Sequence, residues 1–207
     1  MNAMAHAAVV LAAGGSRRLG TPKQMLTRDG ETLLRRAVRL AAMTHPQRLV
    51  VVLGAERDAF MTAAVGGEGE VLFNLEWEQG LSSSLRCAAR ALEDFGGRIL
   101  LLGCDQPALE AAHLSQLLDG AASVGFGCAA TVHGTRLGQP AVIPSAMLQS
   151  APSLEGDVGF GYRLSGLPDT AVWCLFAPEL QLDVDTPADI ELAVQRGVLD
   201  SALSVHR

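Results

Sequence analysis

Between Val9 and Lys23 an unbroken apolar run, Val9-Val10-Leu11-Ala12-Ala13, gives way to Gly14-Gly15-Ser16-Arg17-Arg18-Leu19-Gly20-Thr21-Pro22-Lys23. A run of strand length that opens into glycines fixes a buried strand and the point where the chain leaves it. Glycine lets the backbone take positive φ and bring its N–H groups close to an anion, and Arg17, Arg18 and Lys23 supply the opposing charge. The expected ligand is a phosphate.

Gly15 and Gly20 have the spacing of the first two glycines of a Walker A loop, but Thr21-Pro22 intervene before Lys23 where Lys and Ser or Thr should open a helix. Pro22 biases Thr21 away from the helical region, so the chain is expected to stay extended past the glycines. Gly-x-Gly-x-x-Gly is absent as well, which argues against a dinucleotide fold. The full string Leu-Ala-Ala-Gly-x-Ser-x-Arg-x-Gly-x-Pro-Lys resembles the signature of nucleotidyltransferases that join a nucleoside monophosphate to a phosphorylated acceptor. Within these it resembles the molybdenum cofactor cytidylyltransferase-like members of the MobA-like family.

The 207 residues contain no Pro/Ser-rich linker or charge block, and a single domain over 1–207 is expected, with a nucleotide-binding half at about 1–108 and an acceptor-binding half at about 109–207. Hydrophobic residues at 49% support a large core, built mostly of Ala, Leu and Val because aromatics are only 4%. A net charge of −6 without a long basic run offers no footprint for nucleic acid, so a polyphosphate must be gripped locally. Cys87, Cys104, Cys128 and Cys174 lack Cys-x-x-Cys spacing and read as core thiols in a reducing compartment. Ala3 to Ala13 is apolar, yet no positive charge precedes it and it is too short to span a bilayer. A cytoplasmic protein without membrane contact is expected.

Strand-like and helix-like stretches alternate along the chain. After the basic loop Leu33, Leu34, Ala37, Val38, Leu40 and Ala41 recur at helical spacing; Leu49 to Leu53 is strand-like, Arg57 to Ala64 helical, and Val71 to Phe73 a short strand ending at Asn74. Ser82, Ser83 or Ser84 could cap a helix carrying Leu85, Ala88, Ala89 and Leu92, and Ile99 to Leu102 forms a fourth strand. Continuous apolar strands mean burial on both faces, so the expected fold is a three-layer α/β/α sandwich around a mostly parallel, Rossmann-like sheet.

In such a sheet a ligand lies over the carboxyl ends of the strands. The fourth strand runs into Gly103-Cys104-Asp105-Gln106-Pro107, and a late cluster reads Asp183-Val184-Asp185-Thr186-Pro187-Ala188-Asp189. Thr186, Pro187 and Asp189 form a helix start, which makes Asp189 structural, while Asp183 and Asp185 lie two apart and point the same way in an extended chain. With a triphosphate in view Asp105 is placed to hold Mg²⁺, and the resemblance assigns the second side of the ion to the late cluster, with Asp185 preferred to Asp183. Asp105-Gln106-Pro107 resembles the cytidylyltransferase variant of its motif.

The resemblance also implies the remaining roles. The backbone of Leu11, Ala12, Ala13, Gly14 and Gly15 holds the nucleotide, with Asn74, Gly80 and Ser84 near the base. Arg18 and Lys23 neutralise phosphates and, with Asp105, carry catalysis. On the acceptor side, Gly138-Gln139-Pro140 resembles the family's Gly-x-Pro, and Gly156-Asp157-Val158-Gly159-Phe160-Gly161 resembles Gly-Asp-x-Gly-Ala-Arg, with Phe160 and Gly161 where Ala and Arg are usual. Gln106, Gln139, Pro140, Gly156 and Asp157 are the acceptor candidates, and Arg163 could replace the missing cation from a shifted position or lie on a helix surface. The five histidines lack metal-ligand spacing, and His133 lies nearest the expected cleft.

The implied reaction transfers CMP from CTP to a molybdopterin-type cofactor with release of pyrophosphate, for eventual delivery to a molybdoenzyme. GTP with the same cofactor and CTP with methylerythritol phosphate remain open. A sugar 1-phosphate ranks lower, on the expectation that so short a chain carries no added oligomerising domain. A non-catalytic carrier of the cofactor is the reading from another class.

Overall fold

The computed structural model describes residues 5–54 and 69–201; the helix expected at Arg57 to Ala64 lies outside them. The first strand, β1 (His6–Ala12), is buried along its whole length. A small hairpin of β2 (Thr27–Arg28) and β3 (Glu31–Thr32) then leads into α1 (Leu33–Ala42), whose first turn is capped by the Thr32 side chain accepting from the Arg35 N–H. β4 (Arg48–Leu53), β5 (Glu70–Phe73), α2 (Leu81–Ala91), β6 (Arg98–Gly103) and α3 (Ala111–Ser123) follow. The later part contains β7 (Cys128–His133), β8 (Arg136–Pro144), α4 (Ser145–Leu148), α5 (Gly161–Ser165), β9 (Val172–Leu175) and α6 (Pro187–Gln195).

Seven strands form one sheet in the order β5-β4-β1-β6-β8-β7-β9. β1 lies between β4 and β6, parallel to both, with Val10 opposite Val51 on one side and Leu102 on the other. Only β8 runs against its neighbours β6 and β7. Successive side chains alternate between two buried faces. Val10, Val51, Leu53, Leu100 and Leu102 meet Leu34, Val38, Leu114 and Leu117 of α1 and α3. Val9, Val50, Val52, Ile99 and Leu101 meet Leu85 and Ala88 of α2 and Leu92 just past its end, together with Leu148 and Leu164. Helices on both faces are why these strands read as unbroken apolar runs, and each fully buried Leu among them contributes roughly 1.5–3 kcal/mol. The three-layer architecture is thus as expected.

The antiparallel β8 has a positional effect. Because it runs the other way, its beginning, Arg136 to Gln139, lies at the same sheet edge as the ends of β1, β5 and β6. A third apolar cluster, Leu19, Leu33, Leu182, Val184, Ala193 and Leu199, ties the basic loop to the late acidic segment. Cys104 and Cys128 are buried, and Cys87 and Cys174 half-buried, all as free thiols. Burial pushes the Cys104 thiol up to about 12. No helix among the described residues is long and apolar enough to cross a membrane.

Candidate active site

The glycine loop takes its shape from a residue that nothing in the spacing marks. Gln24 is 1% exposed and its Nε2 donates to the carbonyls of Ala12, at 3.1 Å, and Gly14, at 2.7 Å. Those carbonyls are thereby drawn inward. Ser16, at φ 49°, accepts from the Lys23 N–H through Oγ at 3.0 Å, while its carbonyl takes the N–H groups of Leu19 and Gly20. Pro22 is extended as expected, but the chain then makes a single 3-10 turn over Lys23–Met25. That turn aims Lys23 back beneath the loop.

A cleft of about 640 Å³ opens there, lined by Leu11 to Arg17, Lys23, Trp77, Gly80, Ser84, Asp105 and Asp185. Lys23 Nζ donates to Asp105 Oδ2 at 2.8 Å and to Asp185 Oδ1 at 2.9 Å, and Arg18 donates to Asp185 Oδ2 at 2.7 Å. The Val184 N–H donates to the Asp105 carbonyl at 2.9 Å, fastening the two acidic segments side by side. Burial works against a charged Lys23, but Asp105 and then Asp185 outweigh it and hold its pKa above the ordinary value. Asp185 is pushed the other way: its partial burial opposes ionisation, yet Lys23 and Arg18 hold its carboxyl below the usual range. Asp189, as expected, belongs to the start of α6, where it and Thr186 form a reciprocal capping box.

A model of the MobA-like NTP transferase domain matches residues 8–167. The chain belongs to the MobA-like NTP transferase family. It is 37% identical over 121 residues to "Bifunctional protein GlmU" of Nocardia farcinica, an overlap of 55% of this chain and 24% of that one. The chain thus spans about a quarter of the length of that curated relative. Among solved structures, a homologue of Mycobacterium tuberculosis Rv0371c from Mycobacterium sp. strain JC1 is similar at 28% identity and a TM-score of 0.77, covering 93% of this chain and 96% of that one. Rv0371c of M. tuberculosis H37Rv in complex with manganese is similar at 25% identity and a TM-score of 0.72, covering 92% and 98%.

For a MobA-like chain, two carboxylates gathered on one cation are a hard-oxygen donor set that suits Mg²⁺ or Mn²⁺. Among the described residues no three His, Cys, Asp or Glu side chains converge on one point. Such an ion would therefore draw its remaining ligands from phosphate oxygens and water, which is how Mg²⁺ is commonly held.

Of the residues expected to hold the nucleotide, Leu11 to Gly15, Lys23, Gly80 and Ser84 line the cleft. Arg18 is turned to Asp185, and the arginine that lines the cleft is Arg17, paired with Glu78 and 5.3 Å from the Trp77 ring centroid. Asn74, expected near the base, does not line the cleft. It is buried at the end of β5, where Nδ2 donates to Ser83 Oγ at 2.7 Å and Ser84 Oγ at 3.1 Å. It positions α2 from within. The serines expected to cap α2 lie inside its first turn; the N-cap is Gly80, at φ 90°. A Cβ at Gly80 would lie 2.6 Å from Asp157 Oδ1, so only glycine fits.

A second cleft, of about 1060 Å³, shares Gly103, Asp105, Gln139, Asp157 and Asp183 with the first and extends over β8 and α5. Of the acceptor candidates, Gln106, Gln139 and Asp157 line it. Gln106 is 8% exposed, and its Nε2 donates to the carbonyls of Leu180 and Gln139. Pro140 and Gly156 shape the backbone instead. The Pro140 carbonyl accepts from Thr131 Oγ1, and the Gly156 carbonyl accepts from the Ser82 N–H, so the Gly156-Asp157 pair closes the first turn of α2. Asp183, placed second to Asp185 from sequence, faces both clefts. The walls around it, together with the neighbouring Asp105, push its carboxyl up to about 6.

Proposed function

We propose that this chain is a metal-dependent nucleotidyltransferase that moves CMP from CTP onto the phosphate of a molybdopterin-type cofactor. The observation that carries the reading is the Lys23 ammonium held between Asp105 and Asp185 beside the line where the two clefts meet. A triphosphate in the first cleft has its phosphates at the glycine loop, within reach of Lys23. An acceptor in the second cleft approaches past Gln139 and Asp157. The acceptor phosphate is an anion at neutral pH, so one of its oxygens attacks the α-phosphorus without a general base while the bond to the β-phosphate oxygen breaks and pyrophosphate leaves. The chain's task is to align the reactants and offset the charge that builds on the α- and β-phosphates, through Lys23 and the loop N–H groups. Asp105 and Asp185 would hold Mg²⁺, which would supply Lewis-acid stabilisation of the developing charge.

The apolar part of the second cleft supports a bulky acceptor, since Leu81, Leu137, Val158, Phe160 and Tyr162 line it. That lining suits a fused ring system better than a small polyol. The deciding experiment measures pyrophosphate release from CTP, GTP, ATP and UTP with Mg²⁺, supplied with molybdenum cofactor or with methylerythritol 4-phosphate. Release from CTP only with the molybdenum cofactor is expected. Release only with GTP or with the other acceptor reassigns the substrate, and cofactor binding without release in any combination makes the protein a carrier.

A further inference from the structure

The acceptor half lacks its expected cation for a physical reason. Gly161, where the family usually has Arg, packs so tightly on β8 that a Cβ there would lie 2.2 Å from the Leu137 carbonyl oxygen. No side chain fits. Arg163 does not substitute for it, because its guanidinium donates to Ser150 and Ser153 and it is absent from the lining of the acceptor cleft. Of the carboxylates of that lining Asp105 is paired with Lys23, whereas Asp157 and Asp183 would by themselves repel a phosphate. Two residues there could oppose them, His133 and Arg136. His133 Nε2 lies 2.7 Å from the Gln139 carbonyl and is already engaged. Arg136, exposed at the start of β8, makes neither a hydrogen bond nor an ion pair among the described residues.

We propose that Arg136 is the clamp for the acceptor's phosphate, a role that rests on the nucleotidyl-transfer reading above. Gln139, which lines both clefts, follows three residues later on the same strand, so the two Cα atoms are about 10 Å apart. An arginine reaching back from the strand start presents a planar fork that matches two phosphate oxygens. The antiparallel run of β8 is what brings it to the carboxyl edge of the sheet. Position 161 carries no side chain, and Arg136, one residue before Leu137 on the strand against which Gly161 packs, offers a cation beside it.

Steady-state kinetics on Arg136→Ala, Arg136→Lys and the control Arg163→Ala test this. Arg136→Ala should raise the KM for the acceptor about tenfold to a hundredfold, as loss of a charge-assisted bidentate contact does, while the KM for the triphosphate stays within about twofold. Arg136→Lys should recover only part of the loss, and Arg163→Ala should match the wild type. An acceptor KM in Arg136→Ala within about twofold of the wild type overturns the proposal. If the wild-type protein releases no pyrophosphate with any pair, the transferase reading fails, and Arg136 is then decided by NMR. Its Nε–H resonance, assigned by its absence from Arg136→Lys, should shift on titration with inorganic phosphate; an unmoved resonance overturns the clamp.

Discussion

Lys23 remains protonated across the working range because its two aspartate partners outweigh its burial. It therefore acts as a fixed charge rather than a proton donor. Lys23→Ala should lower kcat/KM by about two to three powers of ten, the usual cost of removing one preorganised transition-state contact, and no ionisation of Lys23 should appear in the pH–rate profile between pH 6 and 9. Pyrophosphate release assays over that range check both statements. Gln24 acts one step further back. Gln24→Ala frees the carbonyls of Ala12 and Gly14, and the expected result is a KM for the triphosphate raised about tenfold with a smaller change in kcat.

At the scale of elements, the small hairpin is fastened to α1 by Arg39, whose Nε and NH2 donate to the two oxygens of Glu31 at 2.9 and 2.6 Å. The hydrogen bond from Arg39 is the main reason that the Glu31 carboxyl sits below its ordinary pKa. A depressed folded-state pKa adds stability that is present above the ordinary carboxylate range and is lost as pH falls through the folded value. Glu31→Gln should therefore cost about 1 kcal/mol in urea unfolding at pH 7, and the cost should shrink as pH falls below the ordinary carboxylate range, where the wild type loses the same contribution. The contact of α5 with β8 behaves differently. Gly161→Ala forces a Cβ against the Leu137 carbonyl, so about 1–3 kcal/mol of stability should be lost at every pH, together with a widened acceptor cleft and a higher acceptor KM.

Across the whole molecule, Asp105 and Asp185 are already balanced by Lys23 and Arg18, so the sheet and the three apolar clusters are expected to need no metal to hold together. Chelation should abolish pyrophosphate release yet leave the Tm of the nucleotide-free protein unchanged; differential scanning calorimetry with and without chelator checks the second half. The central strands β1, β4 and β6 were legible because apolar runs buried on both faces leave an unmistakable local pattern, and the glycine loop because its residue types are tied to their spacing. Lys23, Asp105 and Asp185 were legible as individuals, each marked by a turn or a strand end. Their meeting was a different matter: the Lys23–Asp185 contact joins residues 162 positions apart and depends on the Leu19–Val184 cluster, which no local window contains. Gln24 carried no signal, because a single buried amide is defined only by the carbonyls that surround it. The serines of α2 misled for the same reason. A chain-local rule assigns the cap to the nearest hydroxyl, whereas Gly156 and Asp157 come from far along the chain to accept those N–H groups. Sequence by itself determined what could be read from period and turn chemistry: the layered sheet, the glycine loop and the kinds of residue at its rim. Tertiary structure alone decided which of those residues face one another, because the reversal of β8 and the packing of α5 on it arise from contacts between distant segments.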